Sequence, residues 1–203
     1  MTVAETRRIT KLLVANRGEI ARRIFRTAGA MGIGTVAVFS DADADAPFVR
    51  EADESVRLPG FAPAETYLRT DLIVAAAAAC GADAVHPGYG FLSENAAFAQ
   101  AVVDAGLCWV GPPPSAIEAM GSKIGAKELM RKAGVPTLPW TTDPADAADV
   151  GFPLLVKASA GGGGRGMRIV RGAAELAEAV AAAQREAGAA FGDDTVFLER
   201  YLE

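Results

Sequence analysis

The sequence predicts two units of different class: a doubly wound α/β domain built on a parallel sheet, then a small α+β domain. Three observations carry this. Through Val110, short apolar runs alternate with helical segments of about ten residues, the pattern of parallel strands joined by crossovers and covered on both faces. Gly111-Pro112-Pro113-Pro114 then interrupts the pattern, because a proline run continues neither element and forms a stiff extended spacer. After Gly151 the order becomes strand, glycine loop, strand, helix, strand, which does not extend a doubly wound sheet. The expected division is a first domain over 1–112, linker helices over 113–137 and a second domain over 138–203.

In chain order, Lys11–Ala15 is a short apolar run and reads as a buried strand. Asn16-Arg17-Gly18 turns, and Glu19–Met31 carries Ile20, Ile24, Ala28 and Met31 at helical spacing. Gly32-Ile33-Gly34 breaks this helix. Thr35–Phe39 is rich in β-branched residues and reads as a strand. A short helix over Ala46–Glu51 and a brief strand over Ser55–Leu58 follow. Asp71–Cys80 is an alanine-rich helix, with Thr70 or Asp71 as N-cap and Gly81 as its stop. Asp83–His86 is a strand, Ser93 opens a helix over Glu94–Ala105 closed by Gly106, and Leu107–Val110 is a strand. Beyond the prolines, Ser115–Met120 and Ser122–Ala133 read as helices. The polar stretch Thr141–Asp149 reads as a loop or a ragged turn. Pro153–Lys157, Met167–Arg171 and Thr195–Leu202 read as strands. Ala173–Ala190, with ten alanines, is a helix by propensity.

Composition removes several classes of function. Twenty bases against 25 acids leave a net charge of -5, and no run of like charges suggests a nucleic-acid partner. The longest apolar runs fall short of the roughly 20 residues that a membrane span needs. Arg7, Arg8 and Lys11 are not followed by an apolar segment of secretory type. Cys80 and Cys108 form neither a disulfide framework nor a metal motif and read as reduced core residues, which points to the cytoplasm.

The sharpest chemical feature is Ser159–Gly166, where Gly161 to Gly164 remove four successive Cβ atoms. Backbone N–H groups can then converge on one anion, as a polyphosphate requires, although a hairpin tip without a ligand has the same composition. Gly161, Gly163 and Gly166 satisfy G-x-G-x-x-G, but a dinucleotide fingerprint must open into a helix, and Met167-Arg168-Ile169-Val170 is strand-like. Gly164-Arg165-Gly166 also lacks the Lys-Ser/Thr ending of a Walker loop. Lys157 ends the preceding strand. Lys123 lies near a helix start, where an anion is favoured, although such a lysine is more often simply solvated. His86 ends a strand at the edge where open parallel sheets collect ligands, in a loop that includes Tyr89 and Gly90. With no acidic or histidine neighbour it reads as a brace for that loop rather than a base or a ligand. No Ser/His/Asp or Cys/His set and no metal-ligand spacing appears, so no residue is assigned a catalytic or metal-binding role.

These residues resemble the biotin carboxylase family. The matching stretches are Val14–Ala21, His86–Asn95, Met120–Lys123, Lys127–Pro136, Lys157–Met167 and Phe197–Glu203, in family order along the chain. The resemblance implies a Rossmann-like pre-ATP-grasp domain, an ATP-grasp lid and a larger C-terminal catalytic domain. It implies that ATP and bicarbonate form carboxyphosphate and that carbon dioxide passes to biotin on a biotin carboxyl carrier protein. The setting is an acyl-CoA carboxylase, such as acetyl-CoA carboxylase of fatty acid biosynthesis, with a carboxyltransferase partner, and the family allows a homodimer. It further implies that Lys123 and Lys157 contact phosphates, that Gly163 and Gly164 meet them through the backbone, and that Met167 packs on adenine. Glu199, Arg200, Tyr201 and Leu202 match the hinge strand that reads the adenine edge, largely through backbone groups at Arg200 and Leu202. His86, Tyr89 and Gly90 match a wall of the carboxylation cleft.

The chain departs from the family at Ser122, usually Asp, and at Pro139-Trp140, usually Pro-Gly; the stretch from Trp140 to Gly151 is also shorter. The family places its magnesium ligands and its bicarbonate and biotin groups beyond the position of Glu203. The expectation is therefore the N-terminal and lid parts of the enzyme, inactive alone. The competing readings are a non-catalytic nucleotide-binding or assembly fragment that needs a partner chain, and another ATP-grasp ligase. The His86–Asn95 run argues against the latter.

Overall fold

A computed structural model of the chain describes residues 8–159 and 167–203. They form two compact units that divide after Glu118.

The first unit is a five-stranded parallel sheet, order β3-β2-β1-β4-β5, with β1 Lys11–Val14, β2 Gly34–Ser40, β3 Glu54–Leu58, β4 Ala84–His86 and β5 Cys108–Trp109. Helices α1 Gly18–Ala30 and α2 Pro47–Glu51 cover one face; α3 Thr70–Cys80 and α4 Ala96–Asp104 cover the other. The continuous apolar run of β1 follows from this. Leu12 and Val14 pack with Ala21, Phe25 and Phe48, while Leu13 and Ala15 pack with Ile73, Ala77 and Phe98. Strands buried on both faces show no polar alternation. Trp109 packs edge-on against Phe98 at 5.4 Å, and its indole N–H donates to the Pro112 carbonyl at 3.0 Å. Cys80 and Cys108 are free, half-buried and packed against the two cores.

The second unit contains α6 Lys123–Lys132, α7 Ala147–Val150, α8 Ala173–Phe191 and an antiparallel sheet of order β6-β9-β7-β8. Its strands are β6 Trp140–Thr141, β7 Leu154–Ala158, β8 Arg168–Val170 and β9 Val196–Arg200. A further helix, α5, spans Pro114–Gly121 across the division. The stripe Leu176, Ala179, Val180 and Ala183 on α8 packs on Leu154, Val156, Val170, Val196 and Leu198. The alternate residues, Lys157, Phe197 and Glu199 among them, therefore point to the opposite face.

Three local expectations need correction. The N-cap of α3 is Arg69, not Thr70 or Asp71, and its side chain makes no cap bond. The Asp71 carboxylate is instead held by the Arg69 guanidinium at 2.6 and 2.9 Å. Helix α4 starts at Ala96, where Asn95 Oδ1 accepts from the Phe98 N–H at 2.8 Å. Ser93 and Asn95 donate their amides to Gly90 and Leu92, so the residues before Ala96 form a turn. The stretch Thr141–Asp149, expected as a loop or a ragged turn, holds the end of β6, a 3-10 turn over Pro144–Asp146 capped by Asp143, and most of α7, which runs on to Val150 and buries Ala147 and Val150.

Candidate functional site

In the first unit, the strand order places β1 beside β4, where the chain's course across the sheet reverses. The carboxyl ends of such strands are where open α/β sheets take ligands. Asn16 follows β1 and is buried; its amide donates to the carbonyls of Pro87 at 2.7 Å and Tyr89 at 2.9 Å. His86, closing β4, accepts the Gly88 N–H at Nδ1 at 2.9 Å, which assigns the ring proton to Nε2. Burial lowers the histidine pKa and favours this neutral form. His86 thus braces the loop, and its ring borders an apolar cavity of about 340 Å³ that includes Leu12, Ile24 and Val110.

Gly88 is required twice over. Its φ is +68°, and a Cβ there would lie 2.6 Å from Ile20 Cγ2 and 2.8 Å from Asn16 Nδ2. Phe91 occupies the left-handed region at φ +45°, a strain of about 1–3 kcal/mol for a bulky residue. Its ring stacks on Tyr67 at 5.1 Å, and the Arg17 guanidinium lies 5.6 Å from its centroid. The Tyr67 phenol accepts from the Ser40 amide at 3.0 Å and donates to Asp43 at 2.7 Å; burial and then Asp43 push it up to about 12. Tyr89 donates its hydroxyl to Glu19 and, with Gly90 and Phe91, lines a shallow pocket of about 390 Å³ with Asn16 and Arg17.

In the second unit, the face of the sheet opposite α8 carries charge. Glu199 is buried on β9, and its two carboxylate oxygens receive the ammonium groups of Lys157, on β7, and Lys127, on α6. Burial raises the Glu199 carboxyl, and the two lysines outweigh it, so the group lies below its ordinary value. Two ammoniums against one carboxylate leave this trio one net positive charge.

Helix α6 starts beside the end of β7. Ser122 caps it, accepting the Gly125 N–H at 3.2 Å, and its hydroxyl lies 3.4 Å from the Ser159 hydroxyl. Lys123 donates both its backbone N–H, at 3.4 Å, and its ammonium, at 3.3 Å, to the Ser159 carbonyl. The fold therefore joins Lys157 to Glu199, and Lys123 to Ser159, the last described residue before the glycine run. Gly163 and Gly164 lie outside the described residues. Met167 is exposed just before β8. The Arg200 and Tyr201 amides donate to the Pro139 and Pro153 carbonyls at 2.9 and 3.0 Å, and Leu202 is exposed beyond β9. The sequence reading missed Lys127 and Trp140. The i,i+4 spacing from Lys123 was the available signal for Lys127.

A parallel α/β unit followed by an antiparallel sheet with a lysine-rich face is the order of an ATP-grasp protein. The family model for the biotin carboxylase N-terminal domain matches residues 8–117, and that for the ATP-binding domain of the carbamoyl-phosphate synthase L chain matches residues 122–203. The chain belongs to the biotin carboxylase family. It is 49% identical over 97% of its length to the biotin-dependent acyl-coenzyme A carboxylase alpha3 subunit of Mycobacterium leprae, spanning 34% of that protein. It is 50% identical over 96% of its length to a pyruvate carboxylase subunit of Methanothermobacter thermautotrophicus, spanning 41% of it. It is 50% identical over 95% of its length to the biotin carboxylase of a Nostoc species, spanning 45% of it. The chain thus spans less than half the length of these relatives. Among solved structures, the biotin carboxylase–β,γ-ATP complex of Campylobacter jejuni aligns at a TM-score of 0.90 and 41% identity, covering 97% of this chain and 46% of the other. The dimeric biotin carboxylase domain of Hydrogenobacter thermophilus 2-oxoglutarate carboxylase, with MgADP, ADP and bicarbonate, aligns at 0.88 and 45% identity, covering 96% and 45%.

Proposed function

We propose that this chain supplies the N-terminal and lid parts of a biotin carboxylase, binding ATP on the charged face of its second unit for the carboxylation of biotin. The observation that carries the reading is the ion cluster of Lys127, Lys157 and Glu199, with one net positive charge on the face opposite α8, together with Lys123 held at Ser159, the residue that leads into the glycine run. In this reading Lys123 and Lys157 hold phosphate oxygens, and the amides of Gly163 and Gly164 close over them. Met167 packs on adenine. The Arg200 amide is already committed, so the base edge falls to the Arg200 carbonyl as acceptor and the Leu202 amide as donor, with Glu199 and Tyr201 holding the strand. The loop of His86, Tyr89 and Gly90 walls the carboxylation cleft.

The reaction is the family's: a bicarbonate oxygen attacks the γ-phosphorus of ATP and ADP leaves; the carboxyphosphate formed then breaks its C–O bond to release phosphate and carbon dioxide, and the carbon dioxide bonds to N1 of biotin on its carrier protein as that nitrogen gives up its proton. Phosphoryl transfer needs metal to offset developing charge. Among the described residues no cluster of three or more His, Cys, Asp or Glu could hold a cation. The reading places the magnesium ligands in the part of the relatives that this chain does not span, and routes no step through the metal here. A carboxyltransferase partner, a homodimer and a cytoplasmic setting complete the proposal. Relatives named for acyl-CoA, pyruvate and methylcrotonoyl-CoA carboxylases match about equally well, as expected of a segment that does not meet the final acceptor.

Calorimetric titration with ATP tests the site. The chain binds weakly, and Lys157→Met weakens binding further by about tenfold or more, the loss of one charge-assisted phosphate contact. Unchanged affinity removes the assignment. The same chain shows no bicarbonate-dependent ATP hydrolysis with free biotin; steady turnover would overturn the reading that it is catalytically incomplete.

A further inference from the structure

Lys127 has no role in the site as proposed, yet it is bound into it. It lies one helical turn after Lys123, so both side chains leave α6 on the same side. Lys123 reaches the Ser159 carbonyl, and Lys127 reaches the Glu199 carboxylate, whose other oxygen holds Lys157. All three members of this trio are largely screened from water: side-chain exposure is 17% for Lys127, 24% for Lys157 and 8% for Glu199. The Lys127 ammonium also lies 5.9 Å from the centroid of the Trp140 ring. Trp140 pairs with Glu199 across β6 and β9, and its ring packs at 87° against Phe197, which fixes the ring beside the ammonium.

The arrangement resolves a conflict over Lys157. A buried carboxylate that loses its cation is left uncompensated, at a large cost. Were Lys157 the sole partner of Glu199, each approach of its ammonium to a phosphate would create such an orphan, and the carboxylate would hold the lysine back. With Lys127 on the other oxygen, Glu199 keeps a counter-ion whichever way Lys157 turns. We infer that Lys127 is a positioning residue, which holds the Glu199 carboxylate so that the Lys157 ammonium can serve the phosphate oxygens of a nucleotide. The inference rests on the proposed role of Lys157. It assigns to Trp140 the task of steadying Lys127.

The test is a substitution cycle in the full chain, read by ATP titration calorimetry and by the carbon-13 pH titration of the Glu199 carboxyl. Lys127→Met weakens ATP binding about tenfold, and Lys127→Arg restores most of it. Adding Glu199→Gln to Lys127→Met recovers most of the loss, because the amide no longer competes for Lys157. A merely structural role does not give this recovery. Lys127→Met also moves the carboxyl titration upward without any nucleotide. If Lys157→Met binds ATP like the parent chain, or the parent does not bind, the nucleotide reading fails and this inference with it. If Lys157→Met weakens binding but Lys127→Met does not, the inference alone fails. It fails equally if Glu199→Gln does not rescue Lys127→Met, or if the carboxyl titration stays where it was.

Discussion

The two units treat charge and polarity differently at the places where a ligand would meet them. At the carboxyl edge of the parallel sheet, polar groups are matched: Asn16 serves two carbonyls, His86 accepts one amide, and Arg17 pairs with Asp43. On the antiparallel sheet the match is uneven, with two lysines on the one carboxylate of Glu199. The first arrangement fixes a loop; the second gathers two cations on one carboxylate. Hydrogen bonds hold the loop of the first unit, and an unequal ion cluster holds the sheet face of the second.

The largest perturbations separate the units by their cores. Leu154 is fully buried under α8, so Leu154→Ala costs about 2–5 kcal/mol. Hydrogen exchange checks this: amides of β7 and β9 lose protection while those of β1 and β4 keep it. Gly88→Ala does the converse. It combines a positive φ with a 2.6 Å clash against Ile20 and destabilises the first unit by about 1–3 kcal/mol, visible as faster exchange at Ala15. Asn16→Ala orphans two carbonyls and costs about 1–3 kcal/mol, read by denaturant unfolding. An unchanged midpoint for Asn16→Ala removes its bracing role.

The smallest effect is the most diagnostic. His86 has a pKa below 6.5 in the fold, so the unfolded chain takes up its proton first. Its contribution to stability is intact above about pH 6.5 and is lost as pH falls below that value. Glu199 has a pKa below 4.5 in the fold, so its contribution is present above about pH 4.5 and is lost as pH falls through the lower folded value. Acid therefore weakens the first unit through His86 before it weakens the second through Glu199. Denaturation series at stepped pH check the order, and Glu199→Gln reduces the acid loss of the second unit while leaving the His86 step in place.

Most of the fold was legible because burial on both faces gives unbroken apolar runs, and glycines such as Gly81 and Gly106 end helices where expected. Residues 141–149 were not. A two-residue strand shows no alternation, and the pairing of Trp140 with Glu199 lies far along the chain. The caps of α3 and α4 went astray because several Asp, Ser, Thr and Asn side chains compete there and tertiary partners decide among them. For the site, Lys123 and Lys157 could be marked by their places beside a helix start and a strand end. Lys127 had only its i,i+4 spacing from Lys123 as a signal, and its partner Glu199 is brought to it only by the folded sheet.

Trp109 packs within the first unit and Trp140 within the second, and the chain has two tryptophans. Each unit thus carries its own optical reporter. Trp140→Phe leaves emission from the parallel-sheet unit alone, and Trp109→Phe leaves emission from the charged face. One fluorescence experiment on each variant then follows the melting of one unit without dissecting the chain.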